Sequence, residues 1–112
     1  MSTTPAVLQA GSVLTTSAVA YVTGAPNVKT LLKRTVFTNT TGGAVTITVY
    51  RVPNAGSPIT GNIIIEARSI GANGTDLAPE LSNMVLNAGD TIQALASAGT
   101  SINVFSSGFV TS

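Results

Sequence analysis

Between residues 44 and 52 the chain alternates: Val45, Ile47 and Val49 take one parity, Thr46 and Thr48 the other. A period of two sets them on opposite faces of a strand with one face buried. The phase slips at Val49-Tyr50, because Tyr50 and Val52 are apolar on the opposite parity with Arg51 between them. A β-bulge, or burial of both faces, accounts for such a slip. Over 62–69, Ile63, Ile65 and Ala67 share one face while Ile64, Glu66 and Arg68 share the other. Ile102 and Val104 repeat the alternation near the C-terminus.

Along the rest of the chain, segments rich in Val, Ile and Thr are separated by clusters of Gly, Asn and Pro. That rhythm predicts an all-β fold, a small antiparallel β-sandwich or barrel. Strands are expected at 12–15, 18–23, 30–39, 44–52, 62–69, 84–87, 91–97, 101–106 and 109–111. Those at 30–39 and 44–52 fold over a TNTTGG turn, as a hairpin. Val28, Leu31 and Leu32 fit a helical stripe, but the β-branched residues that follow and the missing C-cap favour a strand there. A short helical turn is expected within DLAPEL, 76–81. In LNAGDTIQ, the turn at Asn87, Gly89 and Asp90 gives Gly89 a positive φ. Ile92, Ala94 and Ala96 then alternate inward. Residues 1–11 hold Pro5 and Gly11 and little periodicity, so they read as a short, flexible N-terminal arm. Residues 12–112 read as a single β-sandwich domain. Its expected core contains Val45, Ile47, Val49, Ile63, Ile65, Ile92, Ile102 and Val104.

Composition narrows the chemistry. The 112 residues are 44% hydrophobic, enough to build a core without staples. Cysteine and histidine are both absent. Their absence excludes disulfides and cysteine-based zinc sites, and removes the commonest general base and metal ligand. Five basic and four acidic residues leave a net charge of +1, no footprint for nucleic acid or an anionic membrane. Threonine, serine and asparagine supply the polarity instead, as about a third of the chain. The apolar runs are too short for a transmembrane helix. The N-terminus has neither the basic nor the continuous apolar region of a secretion signal, so synthesis in the cytoplasm is expected.

No site chemistry assembles from what remains. The serines and threonines lack a base to activate them. Lys29 and Lys33 are the only lysines, and neither sits in a Ser-x-x-Lys arrangement. Glu66 and Arg68 leave the same strand face and are expected to pair. Asp76 and Asp90 look like turn residues that bond their own backbone, and no loop has EF-hand spacing for calcium through Asp76 and Glu80. GANG (71–74) and TGG (41–43) lack the lysine of a phosphate loop and are turns. The triplets beginning at Asn39 and Asn73 match the glycosylation pattern, which arises by chance in so Asn- and Thr-rich a chain. The expectation is therefore a protein that is not an enzyme and has no cofactor and no metal.

A small sandwich with so few charges must expose apolar and neutral area, which points to a partner or to self-association. Lys29, Lys33 and Arg34 form the one basic cluster, suited to an exposed strand edge or an acidic partner surface. With the arm residues Pro5, Val7 and Leu8, they are the candidate partner-binding residues.

Four stretches carry a family resemblance: KRTVFTNTTGGAVTITVYRVP (33–53), NIIIEARSI (62–70), ELSNMVLNAGDTIQALAS (80–97) and INVFSSGF (102–109). The order of basic strand, FTNTT turn, Thr-rich strand and LNAGDTIQA resembles small virion proteins of tailed bacteriophages, the head decoration or cement type. That resemblance implies a jelly-roll-like sandwich on the outer surface of an assembled phage head. It implies the major capsid protein as partner, a homotrimer, and a stabilising role against internal genome pressure. Tail-, baseplate- or fibre-associated adaptor or receptor-binding modules use similar sandwiches and form the alternative.

Overall fold

In a computed structural model of the chain, residues 3–111 are described. Among the described residues nine strands run in order: β1 (Thr3–Val13), β2 (Val19–Thr23), β3 (Lys29–Asn39), β4 (Val45–Val52), β5 (Ile63–Ile70), β6 (Thr75–Asp76), β7 (Met84–Leu86), β8 (Thr91–Ala96) and β9 (Ile102–Thr111). The first sheet has the order β1-β9-β3-β6, with β7 also on β3; the second has the order β2-β8-β4-β5. Every pairing is antiparallel. The pairs nest: β1 with β9, β2 with β8, β3 with β6 and β7, β4 with β5. One long antiparallel ribbon has been rolled up, which is the jelly-roll winding.

Alternation in β4 and β8 supplies the inner face. Val45, Ile47 and Val49 are buried, and so are Ile92, Ala94 and Ala96 across from them. Leu32, Phe37, Ile102 and Val104 close the core from the first sheet. Burying each such large side chain contributes about 1.5–3 kcal/mol. Tyr21 meets Phe37 edge-on, with ring centroids 5.9 Å apart. Of the expected core, only Ile63 stays partly exposed.

Several expectations need correction. Residues 3–11 are not a loose arm but most of β1, hydrogen-bonded along β9 from Thr3↔Thr111 to Val13↔Asn103. Pro5 is tolerated because β1 is an edge strand, where one side of the ladder needs no donor. Register shifts at Val7/Gln9 and Gln9/Ser12 absorb the irregularity around Gly11. Residues 1–2 of the expected arm lie outside the described residues. The strands flanking TNTTGG do not form a hairpin, because β3 belongs to the first sheet and β4 to the second. Asn39 directs that crossing. Fully buried, it donates to the carbonyls of Gly43, Ile70 and Gly71 and accepts from the Thr41 N–H and hydroxyl. Its burial also removes it as a glycosylation acceptor.

A register shift does fall at Val49/Tyr50, but its extra residue is Ile64 of β5; β4 itself keeps phase against β8 from Ile47 to Val52. A second shift, between Ile47↔Arg68 and Val49↔Ile65, reverses the phase of β5. Ala67 takes φ 45° there and is exposed, so it does not share the face of Ile65. The same bulge parts Glu66 from Arg68. Arg68 pairs instead with Asp76 (3.4 Å) and Glu80, tying β5 to the far edge of the first sheet. Arg51 does the equivalent from β4, donating to Asp90 at 3.0 Å and to the Val85 carbonyl at 3.1 Å. Asp90 also caps its own turn, accepting from the N–H of Asn54 and Asn87, and Gly89 has φ 85°. Asp76 accepts from the Ala78 N–H, and the turn within DLAPEL is a short 3-10 helix, Pro79–Leu81.

Candidate interaction face

The two sheets present different outer faces. On the second sheet, Thr46, Thr48 and Tyr50 of β4 stand beside Thr91 and Gln93 of β8, all on the parity opposite the buried residues. Leu95, opposite Thr48, shares that face, which is otherwise mainly hydroxyls and amides. On the first sheet the outward parity is apolar. The register sets Pro5, Phe109, Leu31 and Val85 in one row across four strands. Val7 and Arg34 flank Ser107 in the next row, and Val36 lies opposite Phe105 beyond it. Val7 is 73% exposed and Phe105 45%, so the middle of this face is open to solvent. The Phe105 ring lies over Gly11 of β1.

Charge is segregated in the same sense. All nine charged side chains fall between Lys29 and Asp90. Consequently β1, β9, β2 and β8, which make up one lateral half of the sandwich, carry none. The basic cluster sits where that neutral half meets the charged one.

β3 is not the edge strand that a solvated lysine cluster suggested. It pairs with β9 along its length, and on its other side with β7 at 30–32 and β6 at 37–38. Residues 33–36 have no strand partner on that second side. Lys33 is the extra residue of a bulge, since Leu32↔Gly108 is followed by Arg34↔Ser107. The bulge exposes both Lys33 and Arg34. It depends on Gly108, where a Cβ would stand 1.9 Å from the Leu31 carbonyl oxygen. The lysines reach toward the two ends of β7: Lys29 donates to Asn87 Oδ1 at 2.8 Å and Lys33 to Asn83 Oδ1 at 3.4 Å. Arg34 has no hydrogen-bond or ion-pair partner among the described residues.

Of the six residues singled out by sequence, Pro5, Val7, Lys29 and Arg34 therefore share this face. Lys33 borders it at the bulge. Leu8 does not, because it turns inward and packs against the core. Sequence reasoning missed Val36, Phe105, Phe109 and Leu77. Phe105 was signalled by parity, as an aromatic out of phase with the inward Ile102 and Val104.

Two shallow recesses, of about 120 and 400 Å³, meet at Arg34. The smaller is lined by Val7, Val36 and Phe105, the larger by Lys33, Leu77, Pro79 and Ser82. Among the described residues no group of three or more metal-ligating side chains comes together, and no helix is long and apolar enough to cross a membrane.

No protein-family model and no curated protein matches the chain. Among solved structures, it is similar to a chain in the structure of infectious bursal disease virus Gx strain, at 16% identity and a TM-score of 0.40. The match covers 96% of this chain and 28% of that one, so this chain spans just over a quarter of its neighbour's length. A superposition that loose carries no argument about function.

Proposed function

We propose that the chain is a structural, non-catalytic protein of a phage particle, which binds the outer surface of the assembled head and stabilises it. The observation that carries this reading is the contrast between the two outer faces. A mainly polar face suits water; an apolar face bordered by cations that have no acidic partner among the described residues suits a partner. The sequence resemblance to decoration and cement proteins, strongest over β3, β4 and β8, supports the same reading and makes the major capsid protein the partner. A rigid sandwich seated across joints between capsid subunits adds contacts that resist their separation. Many copies on one lattice sum weak individual contacts through effective concentration.

Particles lacking the protein are expected to assemble, then to lose DNA at lower temperature than complete ones. Adding back the wild-type protein restores resistance. Adding back Val7→Glu or Phe105→Thr, which alter only the outer face, restores it poorly. Equal robustness with and without the protein contradicts the stabilising role, and label confined to the tail favours the adaptor alternative.

A further inference from the structure

The groove through Arg34 specifies the chemistry of what it takes. Among the described residues, three of the four acids are already engaged: Asp90 by Arg51, and Asp76 and Glu80 by Arg68. The fourth, Glu66, is on β5 of the second sheet and lines neither recess. Lys33 and Arg34 thus stand uncompensated between apolar walls, Val7, Val36 and Phe105 on one side and Leu77 and Pro79 on the other. A wholly apolar partner would bury these cations without compensation, which is costly. A highly charged one would leave the walls uncovered.

We infer that the groove binds an extended protein segment that is both acidic and apolar, with a carboxylate on Arg34 and apolar side chains in the recesses to either side. This inference rests on the docking role proposed above and names the segment that docks. The guanidinium is suited to grip a carboxylate through two parallel N–H donors. Beside β3 at 33–36 the chain's own 77–83 segment closes the sheet side, with the Ser82 hydroxyl donating to the Lys33 carbonyl, so the bound segment lies over the two recesses and adds no strand. Nucleic acid fits less well. Two cations do not track a phosphate backbone, and Phe105 is the only aromatic ring among the described residues lining the groove, too few for a stacking platform.

The test measures occupancy of purified protein on particles lacking it. Wild-type binding is expected to weaken as sodium chloride rises from about 50 to about 500 mM. Arg34→Glu should bind about tenfold more weakly or worse, Arg34→Lys should fall between, and Glu66→Lys should match wild type. In parallel, a hexapeptide alternating Glu and Leu at millimolar concentration should shift the amide resonances of Arg34, Leu77 and Val36. Its Gln-Leu counterpart should not. If wild type and Arg34→Glu bind particles alike, the docking role stands and this inference falls. If wild type does not bind particles, yet the Glu-Leu peptide alone shifts those resonances, the docking role falls and the groove's chemistry stands. Shifts produced by oligo-dT and not by the Glu-Leu peptide, or by neither, overturn the inference.

Discussion

Tyr21 shows how tightly single residues are constrained inside this sandwich. Its ring is packed against Phe37, and its hydroxyl is buried without a geometrically acceptable partner. Burial raises the phenol above its ordinary pKa of 10.0, offset in part by the neighbouring Thr35 hydroxyl. The unfolded chain therefore releases this proton first as pH rises. Stability should hold up to about pH 10 and decline above it, as the unfolded form ionises while the folded form does not. Urea unfolding between pH 8 and 11.5 checks this. Tyr21→Phe should be neutral or stabilising, since it removes an unsatisfied buried oxygen, and should flatten the alkaline decline. Ile47 and Ile65 test packing in the same assay: truncating either to Ala should cost about 2–5 kcal/mol. An unchanged midpoint for both would remove them from the core. Ile47 was legible in the sequence because its parity holds on both sides. Ala67 was not, because a bulge within its own strand reverses the phase and parity counting has no access to that.

At the level of elements, β3 owes its exposed cations to a glycine on a neighbouring strand. Gly108 lets the Leu31 carbonyl approach and the bulge at Lys33 form, so Gly108→Ala should cost about 1–3 kcal/mol through steric overlap with backbone. It should also move the Lys33 and Arg34 amide resonances, while the β4–β8 ladder keeps its own. A Gly108→Ala protein with wild-type stability and wild-type β3 resonances would show that the bulge has another cause. A glycine inside a strand signals a bulge or a close approach, yet the sequence reading took it as a break and split β9 in two. Pro5 and Gly11 misled in the same way. They read as an arm because proline and glycine interrupt internal strands, whereas β1 lies on an edge and is bulged, where both are tolerated. The basic cluster was visible as composition. Its place beside Val36 and Phe105 was not, since that depends on the non-local β3–β9 register.

For the whole molecule, the ribbon winding gathers both ends of the sequence, β1 with β9 and β2 with β8, into one uncharged half. The edges of that half are guarded against strand pairing by Pro5 and by bulges, so copies that meet there do so through side chains. We expect a homo-oligomer at micromolar concentration, a trimer by the family resemblance, whose sedimentation is insensitive to salt because no charges are buried. A monomer both in solution and on the particle would contradict that expectation. The sandwich class, the central strands and most of the core were readable from periodicity, whereas β6 and the long edge strand β1 were not. The segregation of charge was latent in the sequence and took meaning only once the strands were paired. The most direct test of the proposed role is a cryo-EM map of the assembled particle. The account predicts density for this sandwich in many copies outside the head, with the β1-β9-β3 face toward the capsid and the threonine-coated β8-β4 face toward solvent. Density with the faces reversed, or found only at the tail, would contradict it.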